Sequence, residues 1–311
     1  MRRVAMNGVF ELAKRDERVV FIGSDLGAGT MAEFREEFPD RFFMEGVAEA
    51  NIIGMAAGLA MDGMIPYINT IATFLTRRSY EQVAVDLCLH NLPVRLIATG
   101  GGMVYAPLGP THLATEDMAI MRALPNMTVV APTDAPEAGR LMEATLDVPG
   151  PVYIRLAKGG DPVVSRDEDG FEIGKAISLA EPGEVLFISI GVMVHRCLNA
   201  AQTLADQGIK AGVLNVHTLK PLDEESILAQ VRGARLVVTV EEHTLMGGLG
   251  SAVADTLVRH IGPGMPQLVT LGIPDVFPEK YGSQDDLLEL YGLQPHQIAD
   301  AVTKTLGQNA A

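Results

Sequence analysis

The chain contains no tryptophan and only two cysteines among its 311 residues, and aromatic residues make up 5% of it. Cys88 and Cys197 both fall within apolar helical patterns, so we expect two reduced core residues rather than a disulfide or a metal pair. Basic residues are also few, since 24 Lys and Arg against 39 Asp and Glu give a net charge of −15. This deficit argues against nucleic acid or an anionic membrane as a partner, because both select for basic patches.

Long apolar segments are missing as well. The longest apolar stretch, residues 52–75, is interrupted by Asp62, Gly63, Pro66 and Asn69, so no membrane span is expected. Charged residues at positions 11, 14, 15 and 16 come too early for a secretory signal peptide. With 48% hydrophobic and 20% charged residues, the composition is that of a soluble globular protein, and we expect it in the cytoplasm.

The chain alternates short apolar runs with helical patterns, which predicts parallel sheets covered by helices. In the first part, strands are predicted at 19–23, 65–70, 94–99, 128–131 and 151–156, and helices at 3–15, 49–62, 74–90, 115–123 and 134–146. In the second part, strands are predicted at 185–189, 211–216, 236–241 and 267–271, and helices at 192–207, 223–230 and 249–260. We therefore predict two doubly wound α/β domains, residues 1–165 and 181–311, joined by a charged, glycine-containing linker at 166–180.

The acid Glu49 opens a helical segment that is otherwise apolar and rich in glycine and alanine. A carboxylate is costly to bury unless a specific group binds it or it stays protonated. The alternative is an acid that only complements the positive end of the helix dipole. Spacing alone favours that alternative, but Ala56, Ala57 and Gly58 indicate a close approach to another backbone, as at a subunit interface.

A second candidate is His112, in the loop Gly109-Pro110-Thr111-His112 that follows three glycines at 100–102. Open α/β sheets place ligands beyond the carboxyl ends of their strands, where this loop is predicted to lie. A histidine there donates hydrogen bonds or moves protons near neutral pH. A purely structural loop histidine is the alternative reading.

A third candidate is the segment 73–82, in which Phe74 and Tyr80 offer flat apolar surface for a heteroaromatic ring. The adjacent Arg77 and Arg78 could meet phosphate or the carboxylates of a partner. The alternative is the start of an ordinary amphipathic helix.

Two further segments are weaker candidates. Arg155 and Lys158 end a predicted strand beside two glycines, which is a plausible anion site, although solvated surface charge is equally plausible. The turn Gly247-Gly248-Leu249-Gly250-Ser251 opens a helix and could bind phosphate through backbone amides. No acidic residue follows it at the spacing of a dinucleotide site, so close backbone packing is the better explanation.

Taken in order, these segments resemble the C-terminal half of transketolase over essentially the whole chain. The matching motifs are Gly23-Ser24-Asp25-Leu26, Gly46-Val47-Ala48-Glu49, Thr73-Phe74, Gly109-Pro110-Thr111-His112, Leu124-Pro125-Asn126, Pro132-Thr133-Asp134, Glu241-Glu242-His243 and Gly247-Gly248-Leu249-Gly250-Ser251. The resemblance implies a pyrimidine-binding domain followed by a transketolase C-terminal domain. It also implies thiamine diphosphate as the cofactor.

The resemblance assigns roles to the candidate residues. The residue matching Glu49 bonds a ring nitrogen of the aminopyrimidine and favours the imino form that activates the cofactor. Phe74 and Tyr80 match aromatic positions around the pyrimidine, and Asp25 and Leu26 match contacts near the cofactor. His112 matches a catalytic histidine that faces the donor sugar. Lys158, with Arg155, falls near the arginine that binds the substrate phosphate.

Two positions depart from the family pattern. Leu108 stands where an acidic residue recognises a sugar hydroxyl, and Lys158 stands in place of the arginine. A lysine binds phosphate as a point charge and lacks the bidentate fork of arginine. The donor and the acceptor, and whether they are phosphorylated, therefore stay open.

The Gly-Asp-Gly segment that holds the divalent metal in this family occurs nowhere in the sequence. The resemblance therefore implies a split enzyme, in which a separate N-terminal subunit holds Mg²⁺ or Ca²⁺ and the diphosphate, and no metal site is predicted in this chain. A heterotetramer with a homodimeric core is the expected assembly. The predicted activity is transfer of a two-carbon ketol unit from a ketose to an aldehyde.

Four other functions compete with that reading. The beta subunit of a 2-oxoacid dehydrogenase has the same two domains and the same split, but the segment 109–132 is more similar to transketolase. Deoxyxylulose-phosphate synthase is similar locally and is normally one fused chain. A non-catalytic assembly subunit would have no need for Glu49. A plain nucleotide-binding protein would be favoured by tight dinucleotide binding of the isolated chain without thiamine diphosphate.

Overall fold

The computed structural model describes residues 1–24, 31–260 and 265–308. It contains a seven-stranded sheet and a five-stranded sheet, both mainly parallel and both flanked by helices. The predicted fold of two α/β domains is confirmed. Asp25 and Leu26, the predicted cofactor contacts at the end of the first strand, lie outside the described residues.

The first sheet has the strand order β10-β5-β6-β4-β3-β1-β2. Its strands are β1 (Val19–Ser24), β2 (Phe42–Glu45), β3 (Ile65–Ile71), β4 (Arg95–Thr99), β5 (Thr128–Val130), β6 (Val152–Leu156) and β10 (Thr218–Lys220). The central strands are buried on both faces, as expected for parallel strands covered by helices on each side. All neighbours run parallel except β10, which pairs antiparallel with β5.

The helices of this first part surround the sheet. They are α1 (Arg2–Arg15), α2 (Ala32–Glu37), α3 (Glu49–Met61), α4 (Ala72–Thr76), α5 (Tyr80–Gln82), α6 (Asp117–Ala123) and α7 (Ala135–Thr145). A π-helical segment, Val83–Cys88, follows α5 directly. The carboxylate of Asp134 caps α7 by accepting from the amide of Glu137 at 3.0 Å, and the helix begins there for that reason.

The second sheet has the order β12-β11-β8-β9-β7. Its strands are β7 (Ile177–Ala180), β8 (Val185–Ser189), β9 (Ala211–Asn215), β11 (Leu236–Thr244) and β12 (Gln267–Ile273), and its helices are α8 (Met193–Ala205), α9 (Glu224–Val231), α10 (Leu249–His260), α11 (Gln284–Leu290) and α12 (Pro295–Gln308). Edge strand β7 pairs antiparallel with β9, although its residues lie within the predicted linker at 166–180. The limits of the two domains and of the linker stay predictions.

The two sheets share one apolar core. A single cluster of buried side chains contains Leu96 and Val129 of the first sheet together with Leu186 and Leu214 of the second. Strand β10 strengthens this junction, because it comes from the second half of the chain and completes the edge of the first sheet. The two halves are therefore continuous in both packing and hydrogen bonding.

Several local differences separate the predicted elements from the observed ones. The predicted helix 74–90 is divided into α4, α5 and the π-helical segment, because Ser79 has non-helical torsions and its hydroxyl donates to the carbonyl of Phe74. Strands β2, β7 and β10 carry no clear apolar alternation and were not predicted. They are short, and the exposed or irregular edges they form give little sequence signal. The terminal helices α11 and α12 were also not predicted.

A buried carboxylate, Glu137, lies at the junction of the two halves. One of its oxygens accepts from the amide of Thr133 at 2.6 Å, and the other accepts from the side chain of Asn215 in β9 at 2.8 Å. Burial raises the pKa of Glu137 from 4.5 to about 7. Nearby, the ring of His217 stacks on Phe171, and burial lowers the pKa of His217 from 6.5 to about 4.

These two groups predict opposite dependences of stability on pH. The contribution of Glu137 to the free energy of unfolding is fully present below pH 4.5, and it is lost as pH rises through the folded pKa of about 7. The contribution of His217 to the free energy of unfolding is fully present above pH 6.5, and it is lost as pH falls through the folded pKa of about 4. Between about pH 5 and pH 8, wild type should lose stability relative to Glu137→Gln by an amount on the order of 3 kcal/mol.

Urea unfolding of the two proteins at both pH values measures this difference. The matched control is Glu143→Gln on the same helix, because Glu143 is half exposed in a surface pair with Arg15. Its unfolding free energy should follow that of wild type at both pH values. A Glu137→Gln profile parallel to wild type would show that Glu137 does not titrate in this range.

Candidate active site

Three of the candidate residues meet at the carboxyl edge of the first sheet. Glu49 begins α3 after β2, Phe74 lies in α4 directly after β3, and His112 lies in the loop that follows β4. Parallel strands end at the same edge of a sheet, so the connections after them converge there. This is the usual position of a ligand site in an open α/β sheet.

Glu49 is buried, with 1% of its side chain exposed. It occupies the first turn of α3, where the helix dipole favours a negative charge. One carboxylate oxygen, Oε2, accepts a hydrogen bond from Nη1 of Arg78 at 2.7 Å. Both readings of the sequence therefore contribute: the acid complements the helix terminus, and it is also held by a specific charged partner.

The Phe74 ring connects Glu49 to His112. The guanidinium of Arg78 lies 4.3 Å from the centroid of the Phe74 ring, which is the distance of a cation–π contact. The ring of His112 meets Phe74 edge to face, with centroids 5.4 Å apart and an interplanar angle of 69°. The structure thus brings together the acid, the aromatic surface and the histidine that the sequence singled out.

The histidine loop is held by its backbone. Gly109 has φ of 78°, a conformation that favours glycine, and its carbonyl accepts from the His112 amide at 3.0 Å. The Thr111 hydroxyl lies 2.9 Å from Nδ1 of His112, and the Thr73 hydroxyl donates to the Leu113 carbonyl at 2.7 Å. The loop is therefore fixed to α4, the helix that carries Phe74. Leu108 is half exposed beside it.

The two adjacent arginines pair within the chain. Arg77 forms a bidentate pair with Glu116, and Arg78 pairs with Glu49. From the sequence, phosphate or the carboxylates of a partner were possible ligands for both arginines, and an ordinary amphipathic helix was the alternative. The observed partners are 39 and 29 residues away in sequence, so no local spacing signals them.

Tyr80 is anchored to a different helix. Its hydroxyl donates to the carbonyl of Ile120 in α6 at 3.0 Å, and its ring packs against the apolar core. Burial raises the pKa of the Tyr80 hydroxyl. Its predicted contact with the aminopyrimidine stays a prediction.

Arg155 is committed to a buried network. Its Nε donates to Asp117 at 2.9 Å, and its Nη2 donates to the carbonyls of Ala114 at 3.2 Å and Glu242 at 2.8 Å. Tyr153 donates to the same Asp117 oxygen at 2.7 Å. Arg155 thus ties β6 to β11 of the second sheet, and a role in substrate binding would require it to give up these bonds.

Lys158, by contrast, is exposed two residues beyond β6. Within the described part of the chain, its ammonium group has no hydrogen bond or ion pair. It is the more available of the two predicted anion-binding cations.

The glycine-rich turn before α10 is occupied by the chain itself. The carboxylate of Glu241 accepts from the amides of Leu249 at 2.7 Å and Gly250 at 2.8 Å. A Cβ at Gly248 would collide with the side chains of Glu241 and His243, which fill the space beside this turn. The Glu241 carboxylate therefore already occupies the N-terminus of α10, where a phosphate group would bind. This favours the packing explanation over a nucleotide site.

The described residues contain neither a metal-binding cluster nor a membrane-spanning helix. Across residues 1–24, 31–260 and 265–308, no group of three or more His, Cys, Asp or Glu side chains is placed to hold a metal ion. His243 instead bonds the Thr244 carbonyl through Nδ1 and accepts from the Ala119 amide through Nε2. Over the same ranges, no helix has the length and apolar character needed to cross a bilayer.

The fold and site define a two-domain α/β protein with a buried acid and an aromatic surface at the carboxyl edge of its first sheet. Residues 1–160 match the family described as transketolase, pyrimidine binding domain, and residues 174–298 match transketolase, C-terminal domain. The chain belongs to the transketolase family.

Individual relatives are similar over nearly the whole length of this chain. A 6-deoxy-6-sulfo-D-fructose transketolase subunit of Clostridium sp. (strain MSTE9) is 39% identical over 303 residues, which cover 97% of this chain and 92% of that one. A 1-deoxy-D-xylulose-5-phosphate synthase of Synechococcus sp. (strain JA-2-3B'a(2-13)) is 40% identical over 305 residues, covering 96% of this chain but 46% of the synthase. A solved structure described as a split gene transketolase, inactive beta4 tetramer, superposes with a TM-score of 0.90 at 38% identity and covers 98% of both chains.

Proposed function

We propose that the chain is the C-terminal subunit of a two-chain transketolase that transfers a two-carbon ketol unit from a ketose to an aldehyde. The observation that carries this proposal is the buried Glu49 carboxylate, which Arg78 links to the ring of Phe74. A planar donor, the guanidinium of Arg78, already contacts both. The same two surfaces suit an aminopyrimidine, which is also planar and also donates hydrogen bonds.

The residues present therefore fit the pyrimidine end of thiamine diphosphate. When bound, this cofactor supplies a nucleophilic carbon that carries the two-carbon fragment between substrates. Glu49 would hold the pyrimidine through a ring nitrogen, and Phe74 would cover one face of the ring. His112, whose ring contacts Phe74, would donate hydrogen bonds to substrate oxygens and move protons there.

The diphosphate end is assigned to a second chain. The sequence has no Gly-Asp-Gly segment, and the related structure is described as an inactive tetramer of beta chains. We propose an N-terminal partner subunit that holds the diphosphate and Mg²⁺ or Ca²⁺. A heterotetramer with a homodimeric core is the assembly that we propose, in the cytoplasm.

A terminal anion on the substrate is the proposed recognition feature. The Clostridium relative is named for a sulfonated sugar, and Lys158 offers an exposed positive charge just beyond the carboxyl end of β6 in the same sheet. Leu108 replaces the acidic residue expected before the histidine loop, so recognition of the sugar hydroxyl must differ. Ketoses with a terminal phosphate or sulfonate are therefore the first donors to test.

The test combines the chain with its partner subunit, thiamine diphosphate and Mg²⁺. Ketol transfer from an anionic ketose to an aldehyde supports the proposal. Release of CO₂ from pyruvate with glyceraldehyde 3-phosphate as acceptor would instead favour the synthase activity of the Synechococcus relative. Oxidative transfer to a lipoyl group would favour a 2-oxoacid dehydrogenase, and a complex inactive with all of these substrates would favour a non-catalytic subunit.

Lys158→Ala should raise KM for a phosphorylated or sulfonated substrate about tenfold, because a charge-assisted hydrogen bond contributes about 1.5–3 kcal/mol. Steady-state kinetics of the assembled complex measure the effect. The control is the same variant with an uncharged aldehyde, for which KM should not change. An equal loss with both substrates would mean that Lys158 acts on the fold rather than on the anion.

A further inference from the structure

The arginine that pairs with Glu49 occupies the surfaces assigned above to the cofactor. One nitrogen of Arg78 donates to Oε2 of Glu49 at 2.7 Å, while its guanidinium carbon Cζ lies 4.3 Å from the centre of the Phe74 ring. A bound aminopyrimidine would need the same carboxyl group, to share a proton with its ring nitrogen, and the same ring as a stacking surface. Arg78 and the pyrimidine therefore cannot use both at once.

The chain has a physical reason to keep Glu49 paired. Its side chain is 1% exposed, and an isolated buried carboxylate carries a desolvation penalty of several kcal/mol. The helix dipole of α3 offsets only part of that penalty. A group that donates to this carboxylate is needed whenever the pyrimidine is elsewhere.

Arg78 can leave this position readily. Its side chain is 46% exposed, so water already reaches the guanidinium and replaces the lost contacts when it moves. The neighbouring Arg77 differs, since it forms a bidentate pair with Glu116 and also reaches the Pro110 carbonyl at 3.5 Å. Of the two arginines, only Arg78 contacts both Glu49 and Phe74.

We propose that Arg78 is a placeholder: it occupies the pyrimidine position of the free chain and is displaced when thiamine diphosphate binds. The inference rests on the proposed function. Its consequence is that cofactor binding competes with an intramolecular ion pair. The apparent affinity for the cofactor is then the intrinsic affinity multiplied by the fraction of chains in which the ion pair is open. Arg78 also keeps the buried Glu49 carboxylate paired until the cofactor binds together with the partner subunit.

The test measures binding of thiamine diphosphate, with Mg²⁺, to the complex of this chain and its partner subunit by calorimetry. Arg78→Leu removes the competitor and should tighten apparent binding roughly tenfold if the pair is formed about nine-tenths of the time. Association of the cofactor should become faster in the same variant. Arg78→Gln serves the same purpose if the leucine variant does not accumulate as folded protein.

Two controls isolate the contact. Arg77→Leu removes the same charge one residue away and should leave the cofactor affinity unchanged. In a Glu49→Gln background, Arg78→Leu should have little further effect, because the ion pair is already lost.

The outcomes separate the two proposals. If wild type binds the cofactor and Arg78→Leu binds it more weakly or equally well, the placeholder is wrong while the proposed function stands. If no variant binds thiamine diphosphate, wild type included, the proposed function itself fails. Tighter binding by Arg77→Leu and Arg78→Leu alike would assign the effect to net charge and would also overturn the placeholder.

Discussion

Glu49→Gln should lower ketol transfer by the assembled complex about 10²–10⁴-fold, the range typical of a lost general acid–base group. Glutamine keeps the size of the side chain and one acceptor oxygen, so the chain should fold. It cannot share a proton with a ring nitrogen as a carboxyl group does. The loss should fall on kcat, measured under saturating thiamine diphosphate.

The position of Glu49 makes a purely structural loss improbable for this variant. Arg78, its partner, is half exposed and can be hydrated when the carboxylate is removed. The matched control is Glu81→Gln, an exposed acid in the neighbouring helix α5, which should retain wild-type activity. Full ketol transfer by a Glu49→Gln complex would contradict the catalytic role and favour the helix-dipole reading.

Arg95→Leu should lower the free energy of unfolding by about 3–5 kcal/mol, because it leaves several buried carbonyl oxygens without donors. Arg95 is fully buried in β4 and donates to carbonyls just beyond the end of α7, those of Thr145, Leu146, Val148 and Gly150. A positive charge at this end also complements the dipole of α7. The effect is large against the 5–15 kcal/mol that stabilises a typical domain.

Urea unfolding of the isolated chain measures this change. The control is Arg235→Leu, whose pair with Glu184 lies at the surface and should contribute about 0–1 kcal/mol. Equal losses for the two variants would mean that the carbonyls around Arg95 find other donors, such as water. The activity of a folded Arg95→Leu complex should be close to wild type, because Arg95 makes no contact with Glu49, Phe74 or His112.

Glu49 could be predicted from the sequence because one acid opens a helix of apolar, small residues. Phe74 and His112 follow strand ends, and such positions meet at one edge of a parallel sheet. The pairing of Arg78 with Glu49 could not be predicted, since 29 residues and a strand separate them. Long-range pairing depends on the final approach of two elements, and local periodicity does not report it.

In the fold, too, locally determined features could be predicted and long-range ones could not. Central strands such as β1 and β8 begin with apolar runs of four residues, and their predicted bounds agree with the structure within one residue. The predicted helix 74–90 is interrupted at Ser79. The apolar residues keep a helical spacing across this position, so the sequence pattern does not reveal the interruption. The commitment of Arg155 to Asp117 and to Glu242 was also hidden, because a cation beside glycines has the same sequence pattern whether it faces solvent or a second domain.

Strand β10 has a consequence for how this polypeptide can be divided. A fragment ending at the predicted linker would expose the edge of β5, whose hydrogen-bonding partner comes from residues 218–220. An uncovered edge strand pairs readily with other chains, so such a fragment would be prone to aggregation or to exchange of β10 between molecules. Cleavage in residues 166–180 should therefore yield two pieces that stay associated, because β10 of the second piece covers the edge of β5 in the first.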